Sequence, residues 1–316
     1  MTVEGVRKAA ASLVGVAVRT PLTEAPFLSR LAGHPVHLKH EQLQPIGAFK
    51  IRGAMTAAAR LAPEVRARGL VTSSSGNHGQ AIAYAAHHYG VRAVVVMPGQ
   101  TSKIKIAGVE KHGGTVVFAG ERRSPEQMAR AEQIARDEGL VLIPPYDHPD
   151  VIDGQGTIGL EIAEDGPDIT DVATPVSGGG LLSGTCLGVA AVRPGIRVWA
   201  VEPAGAAKLS AAIKAGHPTA LPAVDTICDG LRTPTVGLLT WPIIRERIAG
   251  VVTVTDDEVV AAMRLLEKEL GLVIEPSGAT TVAAIMTKKL RTTGPTALVL
   301  TGGNVDRDTF QKLVAA

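Results

Sequence analysis

The stretch GLVTSSSGNHGQAIAYAAHHYGVRAVVVMPG, residues 69–99, carries a complete strand–helix–strand unit. A short β-branched run at 69–73 enters a turn of serines and glycines. An alanine-rich segment of helical length follows at 77–89, and a second apolar run, RAVVVM, occupies 92–97. Neither run alternates apolar with polar residues, so each is expected to be buried on both faces. That is the condition of a parallel strand covered by helices. The unit therefore predicts α/β architecture.

The same alternation continues on both sides. Further runs lie at 36–40, 114–118, 140–143, 171–176, 197–202, 250–254 and 296–301. Helical patterns at 51–61, 103–112, 125–138 and 256–270 fall between them. The four runs between 69 and 143 are close together, each followed by a helix-length segment. They predict a small domain, 69–147, inserted into a larger one made of 1–68 and 148–316. The crossings fall near 68 and in the proline-rich stretch Ile143–Pro149. No repeat of about 20–50 residues is present.

The composition narrows the function class. A hydrophobic content of 45% with 20% charged residues is that of a soluble globular chain. Basic residues number 32 against 30 acidic, and no block of one sign occurs. Neither a nucleic-acid-binding tail nor a polybasic membrane anchor is expected. The opening MTVEGVRKAA lacks the apolar core of a secretory signal, and no apolar run reaches the ~18 residues needed to span a bilayer. Cys186 and Cys228 read as buried thiols of a reducing compartment, so a cytoplasmic location is expected.

Four places carry chemistry. Three are glycine-rich turns at strand ends: Ser73 to Gly79, Ser177 to Gly184, and Thr301-Gly302-Gly303-Asn304. Such a turn opening a helix presents free backbone N–H groups at the positive end of the helix dipole, which suits an anion. Glycines that only make tight turns would look the same in any one cluster. The fourth place is Gly47-Ala48-Phe49-Lys50-Ile51-Arg52-Gly53-Ala54. Lys50 falls in the first helical turn, where the dipole disfavours its charge and a lowered pKa would equip it for Schiff-base chemistry. A solvated surface lysine fits the local pattern too. Gly178 and Gly180 with Glu202 imitate a dinucleotide fingerprint, but Ser183 breaks the third glycine and Lys50 is left without a role.

The stretch Lys39-His40-Glu41-Gln42-Leu43-Gln44-Pro45-Ile46-Gly47-Ala48-Phe49-Lys50-Ile51-Arg52-Gly53-Ala54 resembles the signature of the serine/threonine dehydratase family. These are fold-type II pyridoxal-phosphate (PLP) enzymes, a group that includes serine racemase and resembles the tryptophan synthase β-subunit in fold. Ser74 to Gln80, Gly154-Gln155-Gly156-Thr157, Ser177 to Leu181, Thr240 to Ile244, Ile274-Glu275-Pro276 and Thr301 to Asn304 fall in the family's order, over nearly the whole chain. The resemblance implies two three-layer α/β/α lobes with mostly parallel sheets, PLP as cofactor and a homodimer. The implied reaction is β-elimination from a small hydroxy-amino acid such as L-threonine or L-serine. Racemisation, or dehydration of 3-hydroxyaspartate, stands as the alternative.

It also implies roles. Lys50 holds PLP as a Schiff base and later acts as the base. Phe49 lies against the ring, Asn77 bonds its phenolic oxygen, and Thr301 faces its nitrogen. Ser177, Gly178, Gly179, Gly180 and Leu181 cradle the phosphate. Ser74, Ser75, Asn77, His78 and Tyr146 face the substrate, and Ser75 is the position that racemases use as a second base. Glu202 matches a divalent-metal ligand of many members. Lys208, however, stands where metal-dependent members often have Asp, so an internal salt bridge is expected instead of a metal. Ala48 replaces a usual serine. Arg122 and Arg123 flank the substrate in the family, where a solvated pair or a reader of a second carboxylate both fit. The regulatory tail of biosynthetic threonine deaminases is not expected.

Overall fold

The computed structural model describes residues 1–121 and 124–315. Ten strands form two sheets among these residues: β1 Leu22–Glu24, β2 Val36–His40, β3 Leu70–Ser73, β4 Ala93–Met97, β5 Thr115–Phe118, β6 Val141–Leu142, β7 Asp171–Pro175, β8 Arg197–Pro203, β9 Ile248–Val254 and β10 Thr296–Leu300. The six-stranded sheet runs β1-β2-β10-β7-β8-β9 and the four-stranded sheet β5-β4-β3-β6. Every pairing is parallel except β1 with β2. The chain thus forms the mostly parallel α/β architecture expected of it. All residues of β4, β7 and β10 are buried, which accounts for their unbroken apolar runs. The edge strand β1 is absent from the runs read in the sequence. It has three residues and exists only through its antiparallel register on β2. The four clustered runs build the smaller sheet, and segments on either side of them build the larger.

Three helices form the block that carries Lys50. Lys50–Arg60 packs on Pro149–Asp165, which packs on Gly180–Ala190. Glycines set these separations. A Cβ on Gly188 would stand 2.0 Å from the Gly156 carbonyl oxygen, and one on Gly154 2.6 Å from that of Arg52. The abundance of glycine is therefore a packing requirement here.

Charge is buried in the same block. Arg52 is 1% exposed and donates to Glu41 Oε1 and Oε2, both at 2.8 Å, and to Glu161 Oε1 at 2.6 Å. Lys39 Nζ, fully buried, donates to Glu161 Oε2 at 2.6 Å and to the Thr20 carbonyl at 2.6 Å. Burial alone would raise the Glu41 carboxyl, but Arg52 and then Lys39 outweigh it and hold it below the usual range. The cluster ties β2, the turn after it and both helices together. Removing one member of a buried charge set leaves uncompensated charge at a cost of about 3–5 kcal/mol. Arg52→Met is accordingly expected to lower the unfolding free energy by that amount, read as a fall in the urea midpoint. An unchanged midpoint would contradict it.

Candidate active site

The carboxyl ends of β3, β7 and β10 open into one cleft. Crevices outside the carboxyl ends of parallel strands are where α/β proteins bind ligands. Phe49, Lys50, Ser74, Ser75, Asn77, His78, Tyr146, Ser177 to Leu181 and Thr301 all line it. Residues read from five separate stretches of sequence therefore meet in one place.

Lys50 is set by the loop before it. Ala48 bridges to Gly302, the Phe49 N–H donates to the Thr301 carbonyl at 3.0 Å, and the Gly303 N–H donates to the Gly47 carbonyl at 3.0 Å. Gly47 turns the chain at φ +70°, and a Cβ there would meet Asn304 Oδ1 at 2.4 Å, so only glycine fits. Lys50 then begins its helix with Nζ donating to the Pro145 carbonyl at 2.6 Å and lying 5.1 Å from the Phe49 ring centroid.

The loop after β7 is a cradle that side chains would fill. A Cβ on Gly178 would fall 2.2 Å from the Tyr146 ring, and one on Gly179, at φ +97°, 2.7 Å from Thr240 Oγ1. Thr240 Oγ1 donates to the Gly178 carbonyl at 2.8 Å, which fixes the loop from outside. Among the described residues, the N–H groups of Gly178, Gly179, Gly180 and Leu181 meet no acceptor. They sit at the positive end of the helix Gly180–Ala190.

On the facing loop the Gly76 N–H donates to Ser74 Oγ at 3.3 Å. The hydroxyls of Ser75 and Thr301 have no hydrogen-bond partner among the described residues. Asn77 Nδ2 donates to Glu275 Oε1 at 2.7 Å, and Asn77 Oδ1 accepts from Asn304 Nδ2 at 2.8 Å. Burial raises the Glu275 carboxyl pKa, and Lys105 and Asn77 pull it back in part. His78 is 2% exposed, with Nε2 facing the Ile143 carbonyl at 3.1 Å and Nδ1 without a partner. Burial first, and the Lys50 charge second, lower its pKa to about 3, so the ring stays neutral.

Glu202 does not line the cleft. Its carboxylate accepts from the N–H groups of Leu209 at 2.9 Å and Ser210 at 2.8 Å, capping the helix Lys208–Ala215. Lys208 Nζ lies 4.0 Å from Glu202 Oε2, both side chains fully buried, and donates to the carbonyls of Ala206 and Leu231. Among the described residues no group of three or more His, Cys, Asp or Glu is placed to hold a metal ion. Arg122 and Arg123 lie outside the described residues.

The polar lining residues Lys105, Asp229, Thr233 and Ser277 are given no role by the sequence. Thr233 shares a hydrogen bond with Ser177 at 3.0 Å, and Ser277 Oγ accepts from the Gly230 N–H at 3.0 Å. Glu275 appears there only inside a motif, without a function. The Ile274-Glu275-Pro276 spacing was the available signal for it. Nothing local marks the others.

Comparison with known proteins agrees with this geometry. A family model described as pyridoxal-phosphate dependent enzyme matches residues 15–302. The chain is 39% identical to a serine racemase of Arabidopsis thaliana, over 91% of this chain and 88% of the relative. It is 36% identical to the L-threo-3-hydroxyaspartate ammonia-lyase of Saccharomyces cerevisiae, over 94% of this chain and 91% of the relative. The crystal structure of a threonine deaminase from T.th. superposes with a TM-score of 0.91 at 38% identity, covering 97% of this chain and 99% of that one.

The residues fit such a cofactor. A primary amine, an N–H cradle closed to any Cβ, and an unpartnered hydroxyl face one cleft. Gly178→Ala is expected to weaken PLP binding at least about tenfold, followed by absorbance titration. Unchanged affinity would count against the cradle. His78 supplies a pH test. Its folded pKa is depressed, so between 6.5 and about 3 the unfolded chain binds the extra proton and stability falls as pH falls. His78→Gln is expected to flatten that part of the stability curve, and an equally steep fall in the variant would contradict it.

Proposed function

This chain belongs to the family of pyridoxal-phosphate dependent enzymes, and we propose that it eliminates the β-hydroxyl from a small hydroxy-amino acid such as L-threonine or L-serine, yielding a 2-oxo acid and ammonia. The observation that carries the reading is the meeting of Lys50 Nζ, the Gly178–Leu181 cradle and the uncharged Thr301 hydroxyl in one cleft. When bound, PLP supplies an electron sink that acidifies the α-hydrogen of the amino acid, and a neutral partner such as Thr301 keeps that sink modest. A modest sink favours prompt loss of a β-group.

This chain's own residues do the rest. Lys50 would hold the cofactor through Nζ, and the same amine is the group placed to take the α-proton. The N–H groups of Gly178 to Leu181 hold the phosphate. Phe49 would cover the ring, and Asn77 would be the donor to its phenolic oxygen. Ser74, Ser75 and the start of the helix Asn77–His88 receive the substrate carboxylate. His78, neutral and buried, supports that loop from below and adds no charge to it. Tyr146 lies beside the substrate side chain. Residues 69–147 act as the substrate-gating domain over the cofactor-binding remainder.

One observation favours a second reading. The Ser75 hydroxyl lines the same cleft as Lys50 and takes no partner among the described residues. A second proton-carrying group is what racemisation requires, and relatives of both kinds are similar to this chain. Ser75→Ala distinguishes the two. Elimination is expected to survive it within a few-fold, while formation of the opposite enantiomer is lost. Lys50→Ala is expected to abolish 2-oxo acid release altogether, and release that persists would refute the elimination reading.

Lys208 takes the place of a bound divalent cation between Glu202 and the carbonyls of Ala206 and Leu231. Its charge and its two carbonyl contacts support this. Turnover is expected to withstand EDTA. A large loss restored by magnesium would contradict it.

A further inference from the structure

Lys105 lies on the helix Lys103–Glu110, which packs on the four-stranded sheet, and Asp229 on the short turn Asp229–Leu231 of the other part of the molecule. The two form an ion pair across the cleft, with side-chain exposures of 13% and 36%. The lysine stem crosses the Ser74–Gly76 loop: Lys105 Nζ lies 3.6 Å and Cδ 3.8 Å from where a Gly76 Cβ would be. Asp229 cannot easily yield. Its turn is held by Ser277 through the Gly230 N–H at 3.0 Å and by the buried Lys208 through the Leu231 carbonyl at 3.0 Å.

The charges lining the cleft follow. Among the described residues they are Lys50, Lys105, Asp229 and Glu275. Lys50 is committed to the cofactor, and Lys105 is neutralised by Asp229. A zwitterionic amino acid with an uncharged side chain leaves the pair intact. Among the described residues the lining cation left to meet a second carboxylate is Lys105, and that carboxylate would have to displace Asp229 from it or lie beside it; like charges placed together in a partly buried site are strongly disfavoured. We infer that the Lys105–Asp229 pair makes the site selective for hydroxy-amino acids with neutral side chains and rejects β-carboxylated ones such as 3-hydroxyaspartate. This rests on the elimination reading given above and names its substrate class.

The test uses the PLP-loaded protein and two readouts. The first is kcat/KM for 2-oxo acid release from L-threonine and from L-threo-3-hydroxyaspartate. Wild type is expected to favour threonine, and Asp229→Asn is expected to shift the ratio towards the dicarboxylate at least about tenfold. The second is calorimetric binding of succinate against butyrate. This readout needs no turnover. Asp229→Asn is expected to gain about tenfold for succinate alone, and Lys105→Met is expected to bind succinate no better than wild type. A wild-type preference for 3-hydroxyaspartate, or an unchanged ratio and unchanged succinate affinity in Asp229→Asn, would overturn the inference. If wild type releases no 2-oxo acid from any hydroxy-amino acid, the elimination reading fails, and the succinate arm alone still decides the role of the pair.

Discussion

Arg52 sits inside the protein with its guanidinium shared between Glu41 and Glu161, and Lys39 closes the set. Two positive and two negative side chains are thereby withdrawn from water together. Burying charge is costly, and the cost is offset only when every partner is present in good geometry. The cluster therefore permits few alternatives. It ties β2, the turn after it and the helices Lys50–Arg60 and Pro149–Asp165 in one arrangement. Lys50 begins the helix that Arg52 anchors, two residues earlier. The direction in which the lysine enters the cleft depends on this constraint.

Glycine supplies the complementary half of the construction. Where ions fix direction, glycines fix distance. Gly154, Gly156, Gly184 and Gly188 bring three helices to backbone contact, and the last of these helices begins at the cradle that faces Lys50. Gly47 and Gly178 work at closer range, each with a side chain pressed against its Cα. The amine and the cradle thus belong to one rigid block. The facing loop, Ser74 to Asn77, comes from the smaller sheet and meets the block through Asn77, Glu275 and Asn304. The site is thus built from groups on both sheets.

Much of this was legible in the sequence. The buried parallel strands announced themselves as unbroken β-branched runs, because burial on both faces removes the need for polar residues. β1 did not, since three residues paired at an edge leave no periodicity to read. Lys50 illustrates a different limit. Its local surroundings fit a surface lysine equally well, and its place in the cleft follows from family resemblance and tertiary packing. Lys39, Glu41 and Arg52 stand in the same quoted stretch, yet nothing in their spacing reveals that all three are buried. Lys105 and Asp229 are more than a hundred residues apart on ordinary polar segments. Only the facing of the two sheets brings them together.

The chemistry of the cleft turns on Lys50 being the residue that holds the cofactor. The most direct measurement is borohydride reduction of the PLP-loaded protein, followed by digestion and mass spectrometry of the labelled peptide. A pyridoxyl group is predicted on Lys50 alone. A label on Lys105 or any other lysine, or no label from a protein with bound cofactor, would contradict it.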